Sequence, residues 1–203
     1  MIAVAAPLLN SPRPLWEQRI LGRPGLVVAF LWGMAEATFF FIIPDVFLSF
    51  VAVRDWRSTW KHIVAVLAGA LLGGALLFHW AQADPKAAHA AVARVPFVTP
   101  EMFAKVNSGF DKMGLLAVLS GSVSGIPYKL YAVEAPRVST QFAFLLATPA
   151  ARAVRFTLVW MIFGVGAGWL RKKYALSTRK LAYIHAVLWL VSYAFYWGRI
   201  VYH

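Results

Sequence analysis

Residues 36–50 read EATFFFIIPDVFLSF, an apolar run that carries two carboxylates with a proline between them. From Leu26 to Val53 the chain is apolar enough to enter a bilayer. A carboxylate at bilayer depth costs about 2.5–3.5 kcal/mol on insertion scales and usually faces a protein-lined cavity. Arg13, Arg19 and Arg23 precede this run, and Arg54, Arg57 and Lys61 follow it. The excess of bases on cytoplasmic loops puts both flanks on one side. One crossing cannot join two loops on the same side, and residues 26–53 are too few to cross a core of about 30 Å twice. The reading is a re-entrant hairpin that turns at Pro44, where a backbone donor is lost and a helix breaks. Non-helical backbone at that depth needs protein or a water-filled cavity around it.

Composition agrees. Of 203 residues, 61% are hydrophobic and 14% charged, against about a quarter charged in a soluble domain. Mean hydropathy is +0.66. The chain reads as an all-α integral membrane protein forming one membrane domain over residues 1–203. Its 20 Lys and Arg against 8 Asp and Glu give a net charge of +12. Because these bases lie between apolar stretches, they read as loops touching anionic lipid, and no nucleic-acid partner is expected. The absence of cysteine excludes disulfides and thiolate metal sites. The opening MIAVAAPLLNSPRP is too broken by proline to read as a signal peptide.

Residues 62–83 carry no charged side chain and predict a spanning helix, with Gly69 and Gly73 spaced for close helix approach. Residues 84–112 read as an external loop holding an interfacial helix. Thr99 and Pro100 would begin that helix, and Phe103, Val106, Phe110 and Met113 would form its apolar stripe. Residues 113–137 contain GLLAVLSGSVSGIPYKLYAVEAPR, apolar at both ends and interrupted from Gly121 to Pro127. This predicts a second re-entrant hairpin, entering from the opposite side. Two interrupted segments of opposite entry point to an inverted repeat around a midplane site. Residues 138–170 read either as one long kinked helix or as an interfacial helix followed by a short span. Residues 171–180 form a basic cytoplasmic loop, and 181–200 a last crossing with Tyr193, Tyr196, Trp197 and Tyr202 as an aromatic belt.

AEATFFFIIPDVFLSF and SGIPYKLYAVEA together resemble the DedA superfamily, also called VTT-domain or SNARE-associated proteins, nearest its YqaA-like branch. The resemblance runs from about residue 26 to 170. It implies two opposed re-entrant hairpins embraced by transmembrane helices. It also implies transbilayer movement of lipids: scrambling of phospholipids or recycling of undecaprenyl phosphate, with proton coupling in some members. Glu36 and Asp45 match the family's acidic hairpin, and Lys129 matches the base after the proline of the second. Many members carry a further Arg where this chain has Val123, and Arg137 is the nearby base that would replace it.

A flippase must carry a charged headgroup through a medium that penalises charge. Lys129 would contact the phosphate as a flexible point charge. Glu36 and Asp45 would titrate, and a proton arriving there would release Lys129 from an ion pair. Alternatively, these charges pair only to hold the hairpins together. Glu134 reads equally as an interfacial partner of a base. Arg152 and Arg155, three apart, either bind lipid phosphate at the interface or snorkel. His62, His79, His89, His185 and His203 show no metal-ligand spacing, so neither a metal nor a cofactor is expected.

The leading expectation is therefore a lipid flippase or scramblase in a bacterial inner membrane, with its N-terminus cytoplasmic. Its partners would be phospholipid or polyprenyl phosphate, with protons as a further candidate. The rivals are an assembly factor without turnover and a membrane enzyme acting on lipid phosphates. The enzyme is disfavoured because GxSxG, HExxH and P-loop motifs are missing.

Overall fold

The computed structural model describes residues 14–201, and within them the side chains of Ser122, Val123, Ile200 and Val201 are excepted. The N-terminal stretch, Arg13, Tyr202 and His203 lie outside the described residues, as does the Val123 side chain. The described chain is helical and has no strand. Three helices are long and apolar enough to cross a membrane: α4 (Thr59–Ala83), α9 (Gln141–Tyr174) and α10 (Thr178–Val201).

Before α4 come α1 (Leu15–Leu21), α2 (Arg23–Glu36) and α3 (Asp45–Asp55). At 1.5 Å per residue α2 is about 21 Å long and α3 about 17 Å, each short of a membrane core of about 30 Å. The break is longer than the proline alone suggests. It runs from Ala37 to Pro44, and the amides of Thr38, Phe39 and Phe40 all donate to the Ala35 carbonyl at 2.7–3.1 Å. Pro44 ends the break rather than centring it. It stands just before the first residue of α3, where its missing N–H would have had no helical partner. The chain then returns to its start. Arg54 Nη1 lies 3.4 Å from Glu17 Oε2, and His62 Nε2 lies 3.0 Å from the Ile20 carbonyl oxygen.

α2 packs on α4 backbone to backbone. A methyl at Gly33 would strike the Val66 carbonyl, and one at Gly69 the Phe30 carbonyl. The small-residue spacing of the sequence is thus used as a close helix contact.

Asp84 ends α4, and its carboxylate accepts from the Ala87 amide at 3.0 Å, capping α5 (Pro85–Ala93), a helix where the sequence predicts loop. α6 (Pro100–Met113) follows, with Pro100 first. The exposed Glu101 carboxylate takes a hydrogen bond from Thr99, which holds it below the ordinary glutamate range. Phe103, Val106 and Phe110 are buried, and Phe110 meets Tyr131 edge to face at 5.8 Å. Phe103, Val106 and Phe110 of this stripe pack on protein, and Met113 is half exposed.

The second interrupted segment is α7 (Ala117–Ser124), a break at Gly125–Pro127, and α8 (Tyr128–Glu134). Gly125 turns the chain with φ +74°, a left-handed conformation that suits glycine. All seven residues of α8 are buried. α9 then runs unbroken through Pro149, so residues 141–174 form one helix rather than two pieces. Large apolar side chains on α9 and α10, among them Ile162, Val165, Leu190 and Phe195, face outward. Such a surface belongs against lipid.

Candidate functional site

Both breaks open into the same buried region, and the charges meet there. Glu36 is the last residue of α2 and Asp45 the first of α3, so the break between them holds both carboxylates at its rims. Each is almost fully buried. Asp45 stands at a helix N-terminus, where the dipole favours an anion.

Their partners come from α9. Arg152 Nη2 donates to Glu36 Oε2 at 2.5 Å, and Arg155 Nη2 donates to Asp45 Oδ2 at 2.8 Å. Three and six residues after Pro149, these two arginines lie on the same helix face. The sequence alone suggests interfacial lipid contact or snorkelling for both. Instead Arg152 is 5% exposed and its guanidinium lies over the Tyr128 ring at 4.8 Å. The reason is charge matching: two buried carboxylates require basic partners, and Arg152 is buried with Glu36 while Arg155 reaches Asp45 with 27% of its side chain exposed. That requirement was the signal available in the sequence, since few bases lie among the apolar stretches.

Lys129 enters from the second break. Its Nζ donates to the Phe40 carbonyl, within the first break, at 3.1 Å. The ion pairs to Glu36 and Asp45 among the described residues come from the arginines, so the expected Glu36–Lys129 pair is replaced by Glu36–Arg152. Tyr128, beside Lys129, shares a hydrogen bond of 2.6 Å with Thr148 on α9.

Arg137 stands apart. It is half exposed, donates to Asn107 Oδ1 at 3.0 Å, and lies 3.4 Å from Glu134 and 3.8 Å from Asp111. The 3-10 turn at Ala135–Arg137 carries it away from Lys129, so the structure does not bring it to Glu36 and Asp45. Glu134 pairs also with His89 Nδ1 at 2.8 Å, consistent with its reading as a partner of bases.

Beside the cluster lies a cavity of about 260 Å³ reached by Glu36, Lys129 and Arg155. Its outer wall is aromatic. Tyr193, Tyr196 and Trp197, expected as a membrane belt, line it together with Phe41 and Phe97. The Ile43 amide donates to Tyr193 Oη at 3.1 Å, and Tyr196 Oη donates to the Gly125 carbonyl at 2.9 Å, so α10 is tied to both breaks. Phe97 stacks on Trp197 at 4.5 Å between ring centroids.

An uncharacterized protein of Haemophilus influenzae is similar to this chain. The two are 29% identical over 157 residues, which cover 71% of this chain and 73% of that one. No family model matches the chain, and no solved structure matches it.

Chemically, the cluster sets three bases (Lys129, Arg152, Arg155) against two acids (Glu36, Asp45), leaving one positive charge uncompensated by count. Such a surplus beside an apolar, aromatic cavity suits the anionic end of an amphipathic molecule. Among the described residues no three His, Asp or Glu side chains come together as a metal site requires.

Proposed function

We propose that the protein moves lipid headgroups, of phospholipid or polyprenyl phosphate, across a bacterial inner membrane, as its resemblance to the DedA superfamily implies. In this reading residues 26–53 and 113–137 are re-entrant hairpins entering from opposite sides, and the N-terminus is cytoplasmic. The shortness of α2 and α3 and the return of Arg54 to Glu17 support the first hairpin. The observation that carries the proposal is the opening of Lys129 and Arg155 onto an aromatic-walled cavity. A phosphate there would accept from both bases while its tails remain in lipid. Release of Arg155 from Asp45 would free it for the phosphate, so the carboxylates act as the switch and the bases as the grip.

Headgroup translocation in liposomes tests this, with labelled phospholipid and an undecaprenyl-phosphate analogue. Wild type should move at least one of them, and Lys129→Ala and Arg155→Gln should reduce the rate tenfold or more (about 1.4 kcal/mol of barrier per tenfold) while remaining folded. A wild type that moves neither lipid defeats the proposal.

One observation favours the assembly-factor reading: both carboxylates already have arginine partners within 2.8 Å. If pairing is all they do, the reversed pair Glu36→Arg with Arg152→Glu should keep function in cells. If they gate transport, the reversed pair should be inactive although inserted.

A further inference from the structure

The arginine pair borders a second, smaller space. It measures about 20 Å³ and is lined by Arg152 and Arg155 together with Val118, Ile126 and Tyr131. Roughly 10–15 Å³ admits one water-sized particle. The four oxygens of a phosphate group need more room than that. This space is therefore not the lipid cavity in miniature.

Two observations bear on what would fit it. The Nε atoms of both Arg152 and Arg155 are buried and have no hydrogen-bond partner among the described residues. A buried donor without an acceptor is costly, so each calls for an acceptor. Independently, the cluster to which these arginines belong carries three bases against two acids by count, the third being Lys129 at the larger cavity, so an acceptor that also carries negative charge would bring the whole cluster to balance. Water answers the first demand and not the second. We propose that one small monovalent anion of chloride's size binds between Arg152 and Arg155. It accepts from guanidinium N–H groups that the carboxylates leave free, and it brings the buried charge to balance. Chloride donates no hydrogen bond, which suits a wall whose unmet polar groups are donors. The inference stands apart from the lipid reading, because the site needs no lipid.

The test uses the purified full-length protein in detergent, with chloride as the probe. The chloride NMR line should broaden with wild type and narrow again when bromide competes. Thermal unfolding in sodium chloride should lie about 3 °C above that in sodium gluconate at equal ionic strength, saturating with concentration. Arg155→Lys keeps the charge and removes Nε, and should abolish the broadening. Val118→Leu adds a carbon to the wall without touching a charge, and should abolish it too; it carries the test if the arginine variant does not fold. No broadening with wild type means the space holds water only, which overturns the proposal. Broadening that survives Val118→Leu places the anion elsewhere and overturns it as well. Displacement by inorganic phosphate as easily as by bromide would merge this space with the larger cavity, and the proposal would fall on that result too. All these readings are made without lipid, so they succeed or fail separately from the translocation assay.

Discussion

The chain holds two networks of opposite charges, and they differ in what surrounds them. The inner one joins Glu36, Asp45, Lys129, Arg152 and Arg155, contributed by α2, α3, α8 and α9 and closed off from solvent except at its cavities. The outer one joins His89, Asn107, Asp111, Glu134 and Arg137 around the α5–α6 region, with Arg137 and Asp111 largely exposed. The inner pairs measure 2.5 and 2.8 Å, the outer ones 2.8, 3.4 and 3.8 Å. What separates them most is burial: Glu36, Asp45 and Arg152 are all buried, whereas the outer network's one buried member, Glu134, meets the half-exposed His89 and Arg137, and burial decides how much a missing partner costs. The inner pairs hold breaks in the helices together across the whole sequence. The outer pairs dress a surface.

The sharpest way to break this contrast is Arg152→Ala, which strands the buried Glu36 carboxylate. It should destabilise the protein by about 3–5 kcal/mol. Reversible unfolding in mixed micelles measures this, and adding Glu36→Gln should recover most of the loss. A single variant costing less than about 1 kcal/mol would mean that water reaches Glu36 and that the two networks are alike. Next comes Tyr128→Phe, which removes the bond to Thr148 and keeps the ring under the Arg152 guanidinium. Its cost should be about 1 kcal/mol in the same measurement. The smallest effect belongs to Arg137→Ala, at roughly 0–1 kcal/mol, falling further as salt is raised. A salt-independent loss above about 2 kcal/mol would put Arg137 on a par with the inner bases.

The same contrast explains what could be read from the sequence. The two interruptions were legible because they are local: Pro44, Gly125 and Pro127 act on their own backbone. So were the acids, since a carboxylate in an apolar run stands out. Lys129 was found because it follows the break directly. The roles of Arg152 and Arg155 were not legible, because their partners lie 116 and 110 residues away and neither base marks its direction locally. Arg137 misled for the converse reason: it is near Lys129 in the chain, and a short 3-10 turn sends it to another surface. Tyr193, Tyr196 and Trp197 have the composition of an interfacial belt, and only the docking of α10 on the two breaks reveals a cavity wall. The apolar helix expected at 62–83, long enough to cross a membrane, and its glycine contact needed no such long-range information.

The separation of 116 residues between Glu36 and Arg152 also has a consequence in time. A ribosome adds about 5–20 residues per second, so Glu36 is made roughly 6–23 s before its partner. For that interval the first interrupted segment is synthesised with both acids and without its arginines. Whatever shelters it then, whether the insertion machinery or a delay in burying residues 36–45, is a client relationship written into the order of the chain. A nascent chain arrested before Arg152 should be an early substrate for membrane quality control, and one arrested beyond Arg155 should escape it.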